Sequence, residues 1–436
     1  MAQRQAGNPG RHAQAQGEPE FRLQPGERIP EVEKEGLKRY RTRGVLKDVP
    51  PLVKLKPANV ITPDPSLEHA NQVLFMLSLA EHDGEVHAIA RGIGSTEAGK
   101  YASRLLHGVM QKDHTFKFDQ KPILDDQSRE DPRVTRIGDT YYLTSTIANP
   151  GTPPTVGLAS TKDFQTYADH GIIIPNMGQL DCKDPILYPD TTNGLHMQIR
   201  IKPGIQLIRF DSINDLLELG ASPEKMQAYW EKTMADYRQN PEQYDILTPN
   251  TPEMQALEEK WRPALDHLAD DKLLPNHPHS QHLQRHPLRG QTWYGPGPAP
   301  IKTTAGWLEF PHRGEVIAAY TYEQRQRMEK AGIRVDDIKL YAIFPILRDL
   351  QNPRKIIAAG PDFISRPDPG NLTETKTLTE PLTVPYVRIT SGALKTTIDG
   401  EPHILLAVGV NDKYTRLEAI PLDKLLTQML THGRTK

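Results

Sequence analysis

Acidic and basic side chains crowd one short stretch of this 436-residue chain, Glu130-Asp131-Pro132-Arg133-Val134-Thr135. Two neighbouring carboxylates, a proline-fixed backbone and a guanidinium suit general acid chemistry, because a carboxyl partly withdrawn from water beside another acid keeps its proton to higher pH. The same charges also make an ion-pair cluster at a strand end, and residue types alone leave both readings open. Asp184, in Asp181-Cys182-Lys183-Asp184-Pro185, repeats the acid-proline arrangement, as a substrate contact or as the acid of a turn. A basic set accompanies them: Arg91, Lys183, Arg200 and His312 lie within or at the ends of strand-like segments far apart in sequence. Arg200 stands among Leu195, Met197 and Ile199, where an unpaired guanidinium is costly. It requires an anionic partner, either an internal carboxylate or a bound phosphate or sugar acid.

Other chemistries are poorly served. The single cysteine, Cys182, excludes an intrachain disulfide framework and a thiolate zinc site, and it reads as an inert buried thiol. His277, His279, His282 and His286 crowd a proline-rich loop without a zinc-binding spacing, so no metal site is expected. The glycines of Gly92-Ile93-Gly94 and of Gly295-Pro296-Gly297-Pro298 lack the strand-loop-helix context of a phosphate cradle. With 53 basic against 55 acidic side chains and a net charge of -2, no overall field draws the chain to nucleic acid or an anionic membrane. No stretch approaches the roughly 20 apolar residues needed to span a bilayer, and the N-terminal residues lack an apolar leader. A cytoplasmic, soluble protein is the expectation.

The elements that must position these groups read as short strands in repeated units. Val73–Ser78 and Val86–Arg91 flank a turn, and Tyr101–Met110 follows; Val134–Ile137, Tyr141–Thr146 and Thr155–Ser160 repeat the plan around Gly138-Asp139. A third unit joins Pro185–Tyr188, Leu195–Ile201 and Ile205–Phe210. A fourth joins Gly306–Pro311, Val316–Tyr322 and Leu340–Ile346, and a fifth joins Val387–Ser391, His403–Val408 and Arg416–Ile420. Five such units predict radial repetition, an all-β, five-bladed β-propeller. Residues 1–45 are polar and read as an N-terminal extension; 46–436 read as one propeller domain. Between the third and fourth units, apolar residues at helical spacing, including Met226, Tyr229-Trp230, Met234, Trp261 and Leu265, predict a helical insertion at about 213–290. A further short helix is expected over 322–330.

Several segments together resemble glycoside hydrolase family 130, the mannoside phosphorylases and related hydrolases. They are EDPRVTRIGDTYYLTSTIA (130–148), KDPILYP (183–189), HMQIRIKPGIQLIRFDS (196–212), GPGPAPIKTTAGWLEFPH (295–312) and the closing VPYVRITSGA with LLAVGVNDKYTRLEAI (384–420). The resemblance spans about Pro50 to Met429 and implies a five-bladed propeller. It implies an inverting reaction with Asp131 as general acid. It also implies inorganic phosphate as attacking co-substrate, bound by Lys183, Arg200 and His312, with Arg91 and Asp412 matching further pocket residues; Arg133 and Asp184, from the acid-proline segments, join them as candidate substrate contacts. Two positions depart from the pattern: Lys183 replaces an arginine, and Trp293 falls where a phosphate-binding lysine is expected. The activity implied is phosphorolysis of a β-mannoside or related glycoside to a sugar 1-phosphate. Hydrolysis by the same framework, with a second carboxylate as base, is the alternative, and a non-catalytic sugar-binding propeller using platforms such as Trp307 and Tyr142 is the third. No cofactor or metal is implied. The expected partners are an oligosaccharide and possible further copies of the chain, with no nucleic acid or membrane.

Overall fold

A computed structural model of the chain describes residues 60–94, 103–124, 128–148, 152–175, 182–189, 194–268, 283–285, 292–320, 338–360, 363–367 and 386–432, with isolated positions between 323 and 330. All of them lie in one compact unit, Val45–Lys436. The N-terminal extension at 1–45, the histidine-rich loop and most of the expected helix at 322–330 lie outside the described residues.

After β1 (Val60–Ile61) the chain lays down three four-stranded antiparallel sheets in succession. The first is β2 (Val73–His82), β3 (Glu85–Ile93), β4 (Ser103–Met110) and β5 (Phe116–Pro122). The second is β6 (Arg129–Ile137), β7 (Thr140–Ile147), β8 (Thr155–Thr161) and β9 (Ala168–Ile174). The third is β10 (Cys182–Leu187), β11 (Leu195–Ile201), β12 (Gly204–Phe210) and, beyond helices α1 (Ile213–Gly220) and α2 (Pro223–Gln239), β13 (Asp245–Leu247). Three strands of each of the first two sheets match the sequence reading. The fourth, β5 or β9, was not legible, because edge strands carry mostly polar, exposed residues.

The helical insertion divides differently from expectation. Ser212 and Ser222 cap α1 and α2, their hydroxyls accepting from the backbone N–H of Asp215 and Lys225, and Pro223 opens α2 where a missing N–H costs nothing. The chain then returns to add β13 to the third sheet, so the insertion is not wholly helical. α3 (Pro252–Leu268) follows. Its buried Met254, Trp261 and Leu265 pack with Phe344 and Phe363.

The fourth expected unit becomes two sheets. In one, β18 (His312–Tyr320) pairs with β14 (Leu283–Arg285), β15 (Thr292–Gly295) and β19 (Ile338–Ile343). The other runs β16 (Ile301–Lys302), β17 (Trp307–Glu309), β20 (Ile346–Arg348), β21 (Ile356–Ala359). The register that pairs Glu309 with Ile346 also pairs His312 with Ile343, so the two sheets share one ladder interrupted at Phe310-Pro311 and Phe344-Pro345. Proline has no N–H to donate, which is why pairing lapses there. The last sheet is β22 (Arg388–Ile398), β23 (Glu401–Val410) and β24 (Tyr414–Pro421), completed on its far edge by β1 and followed by α4 (Leu422–His432). Among the described residues there are thus six four-stranded sheets where the sequence suggested five units.

Helix α2 is seated by Trp230, which is fully buried among Ile173, Leu195, Met197 and Phe210 and donates its indole N–H to the Ile173 carbonyl at 2.8 Å. Replacing it opens a cavity and orphans that carbonyl. Trp230→Ala should cost about 3–5 kcal/mol in chemical denaturation; a loss below about 1 kcal/mol would show that α2 is not anchored through this residue.

Candidate active site

Each of the first three sheets places a β-bulge on its first strand at the same register position. Pairing skips from Phe75 to Ser78 opposite Arg91 and Ile89, from Glu130 to Arg133 opposite Thr146 and Thr144, and from Lys183 to Ile186 opposite Arg200 and Gln198. The first skipped residue is left-handed in all three, with φ of 53° at Met76, 52° at Asp131 and 59° at Asp184. Aspartate tolerates that conformation better than most residues, and the proline after it, Pro132 or Pro185, has no N–H to leave unpaired. The acid-proline pairs noticed in the sequence are therefore bulge residues, and the bulge swings each carboxylate away from the ladder.

Around Asp131 the cation is Arg91 from the neighbouring sheet. Its Nη1 lies 3.0 Å from Asp131 Oδ1, its Nη2 2.7 Å from Glu130 Oε1, and its Nε donates to Ser103 Oγ at 2.8 Å, while the guanidinium sits 5.0 Å over the Phe75 ring. The Asp131 side chain keeps 16% of its surface exposed. Asp412 joins this group electrostatically from the turn after β23, itself left-handed at φ 51°. The residue as a whole is half-buried. Burial pushes its carboxyl up to about 7, Arg91 opposing the shift while Asp131 and Glu130 add to it.

Arg133 does not pair with Asp131's carboxylate. Fully buried, it donates to the main-chain carbonyls of Gly297 (Nε, 2.9 Å), Asp131 (Nη1, 2.9 Å) and Pro296 (Nη2, 3.1 Å), and its Nη2 lies 3.1 Å from Asp184 Oδ1. Asp184 is 1% exposed and also meets Arg200, Nη1 to Oδ2 at 2.8 Å. Burial raises its pKa, but Arg200 and then Arg133 outweigh that and hold it well below the usual carboxylate range. Arg200 thus has an internal carboxylate partner of the kind its apolar neighbours required. Arg133 and Asp184, expected as substrate contacts, are buried and paired with each other.

Beside this pair lie Lys183, half-buried and directly opposite Arg200 in the ladder, and His312. His312 is fully buried, and among the described residues neither ring nitrogen has a hydrogen-bond partner. Burial lowers its pKa to about 3, with Asp184 opposing and Arg200 and Arg133 adding to the shift, so the ring is neutral. A Cβ on Gly295 would stand 2.3 Å from His312 Nε2, so only glycine admits the ring here. Trp293 packs edge-on against Tyr341, which also touches His312, and Lys202 holds its ammonium 5.3 Å over the Trp293 ring. A cation thus reaches this wall from the turn after β11, although position 293 is not a lysine. Sequence reasoning missed Glu130's pairing with Arg91, Tyr341 and Lys202; only the i, i+2 spacing of Arg200 and Lys202 hinted at the last. Trp307, offered as a sugar platform, is buried against Tyr188, and Tyr142 packs beside the cluster around β8–β12.

Comparison with known proteins agrees with this architecture. No family model matches the chain. A 1,2-β-oligomannan phosphorylase of Thermoanaerobacter sp. is 23% identical over 337 residues, 73% of this chain and 83% of that protein. A β-1,2-mannobiose phosphorylase of Listeria innocua is 29% identical over 144 residues, 31% of this chain and 39% of its own length. The solved L. innocua enzyme, in complex with β-1,2-mannobiose, superposes with a TM-score of 0.53 at 16% identity, covering 86% of this chain and 98% of that one. A family 130 structure from work on hydrolases that target β-1,2 mannosidic linkages in Candida mannan gives 0.54 at 14% identity, over 87% and 96%. At such identities the structures speak to the fold. The resemblance to glycoside hydrolase family 130 read from the sequence is borne out.

The raised Asp412 pKa links to stability with a definite sign. The unfolded carboxyl loses its proton near the ordinary aspartate value of 3.8 while the folded one holds it to about 7, so its contribution is greatest below pH 4 and is lost as pH rises through 7. Asp412→Asn removes that loss. The variant should melt at least about 2 °C above wild type at pH 8 and show no such gain at pH 4, by thermal scans at both. A gain of equal size at the two pH values would place the carboxyl outside this environment.

Proposed function

We propose that the protein is an inverting glycoside phosphorylase acting on a β-mannoside, with Asp131 as general acid and inorganic phosphate as nucleophile. The observation that carries this reading is the division of charge across the site. Asp131 projects from a bulge among carboxylates, and Arg133 ties its backbone to a separate wall that holds Lys183, Arg200 and His312. Burial pushes the nearby Asp412 carboxyl up to about 7, and Asp131 is the group that delivers a proton to the leaving oxygen. In the reaction the C1–O bond to the leaving sugar breaks as its oxygen takes the proton, and a phosphate oxygen forms the new bond to C1 from the opposite face. Direct displacement of this kind needs no metal or organic cofactor. The basic wall neutralises the incoming anion, and the neutral imidazole offers it an acceptor or a donor. Arg91 and Asp412 serve as sugar contacts on the acid side. The relatives named as phosphorylases support this choice over hydrolysis.

The sheets themselves we read as a five-bladed propeller, with the two sheets that share one register forming a single bent blade. The completion of the last sheet by β1 supports ring closure, since one strand from the start of the described chain joins the end.

Incubation with β-1,2-mannobiose and other β-mannosides, with and without phosphate, tests the reading. Sugar 1-phosphate formed only with phosphate is the expected product; free mannose irrespective of phosphate would make the protein a hydrolase, and no turnover a binding module. Asp131→Asn should lower kcat by about 10²–10⁴ while leaving ligand affinity largely intact. Arg200→Ala should abolish phosphate dependence, and an unchanged phosphate response in that variant places the anion elsewhere.

A further inference from the structure

A cavity of about 760 Å³ opens where the helical insertion meets two sheets, away from the Asp131 site. His196 and Arg209, paired across β11 and β12, form one side; Tyr229 and Thr233 of α2 form the second; Tyr244 and the turn between β20 and β21 form the third. His196 is four residues before Arg200 on the same strand, so the cavity lies about 13 Å along the sheet from the basic wall.

The lining has a definite chemistry. Leu207 and Ile208 supply an apolar floor, two tyrosines supply ring surface, and Gln243, Gln351 and Asn352 bring planar amides to the rim. Among the described residues no carboxylate lines it. Arg354 donates to the main-chain carbonyls of Gln243 and Glu242, so the β20–β21 turn and the segment after α2 are already clamped together. Tyr229 is stacked on Phe210 at 5.3 Å and Tyr244 donates its hydroxyl to Asp236, which fixes both rings. Ring faces, bidentate amides and a fixed guanidinium recognise polyhydroxyl chains, whose C–H faces need apolar contact while their hydroxyls need paired donors and acceptors. The volume suits a ligand of oligosaccharide-fragment size, and rigid walls limit the ordering cost of binding.

We propose that this cavity is a second carbohydrate-holding site, built by the insertion, that retains a further length of an oligosaccharide on the protein. The choice of β-mannoside as its ligand rests on the glycoside reading above; the site itself does not.

The test compares full-length wild type with Asn352→Trp, which fills the mouth from an exposed position, and Arg209→Gln, which removes a wall donor. β-1,2-Mannobiose and a β-1,2-mannan chain of at least six units serve as probes, with a panel of other neutral oligosaccharides for binding alone. Wild type should bind the long chain about tenfold more tightly than the disaccharide, a difference of about 1.4 kcal/mol. Both variants should lose that preference while turnover of mannobiose with phosphate and the melting temperature stay as in wild type. Length preference unchanged in both variants overturns the proposal, as does absence of such preference in wild type for every oligosaccharide tried. Where wild type turns over no β-mannoside yet binds another oligosaccharide in a way that Asn352→Trp abolishes, the glycoside reading fails and the second site stands.

Discussion

The guanidinium of Arg133 is the constraint on which the site depends. A charge so deeply buried is tolerable only when its donors are taken up, and here three main-chain carbonyls and one carboxylate take them. Those acceptors come from three places: the Asp131 bulge, the Asp184 bulge and the turn before β16. Losing the guanidinium would leave Asp184 underneutralised and would release the Asp131 backbone together. The acidic and basic halves are therefore held in one relationship by a residue that need touch no ligand.

Asp184 answers a second question, how a basic wall can stay both charged and ordered. Arg200 without a counter-ion would be desolvated at high cost, and with a fully matched one it would offer nothing to an incoming anion. Asp184 divides its attraction between Arg133 and Arg200, so the cluster of Lys183, Arg200, Arg133 and Asp184 keeps an excess of positive charge while each buried charge has a partner or solvent. His312, kept neutral by the same burial, adds hydrogen-bonding capacity without adding repulsion. An arrangement of this kind favours a small polyanion over water on electrostatic grounds.

What the sequence made legible follows the physics of each feature. Buried strands such as Leu195–Ile201 announce themselves by apolar and β-branched content, and the acid-proline pairs mark bulges because two local rules coincide there. Arg200's need for a counter-charge could be argued from its apolar neighbours alone. Polar edge strands such as Phe116–Pro122 carry no comparable signal, and a ladder interrupted by Pro311 and Pro345 splits a unit that the eye reads as one. The partner of Asp131 was out of reach for a different reason. Arg91 stands 40 residues away, and choosing it over Arg133 requires knowing which strands are neighbours.

The three bulges show how one geometric device yields different chemistry. The backbone reaches the same left-handed vertex at Met76, Asp131 and Asp184, so position is set by the sheet and not by the side chain. The residue before the vertex is phenylalanine, glutamate or lysine, and the residue opposite it on the next strand is arginine, threonine or arginine. In the first sheet the vertex is apolar and only the opposite strand acts, sending Arg91 across to the second. In the second, the vertex itself carries the carboxylate and Thr146 opposite leaves room for the incoming guanidinium. In the third, vertex and opposite strand pair with each other, which removes Asp184 from solvent and leaves Lys183 as the outward charge. Repetition supplies three equivalent mounts, and their unequal side chains make a site with an acidic side and a basic side that no single sheet contains.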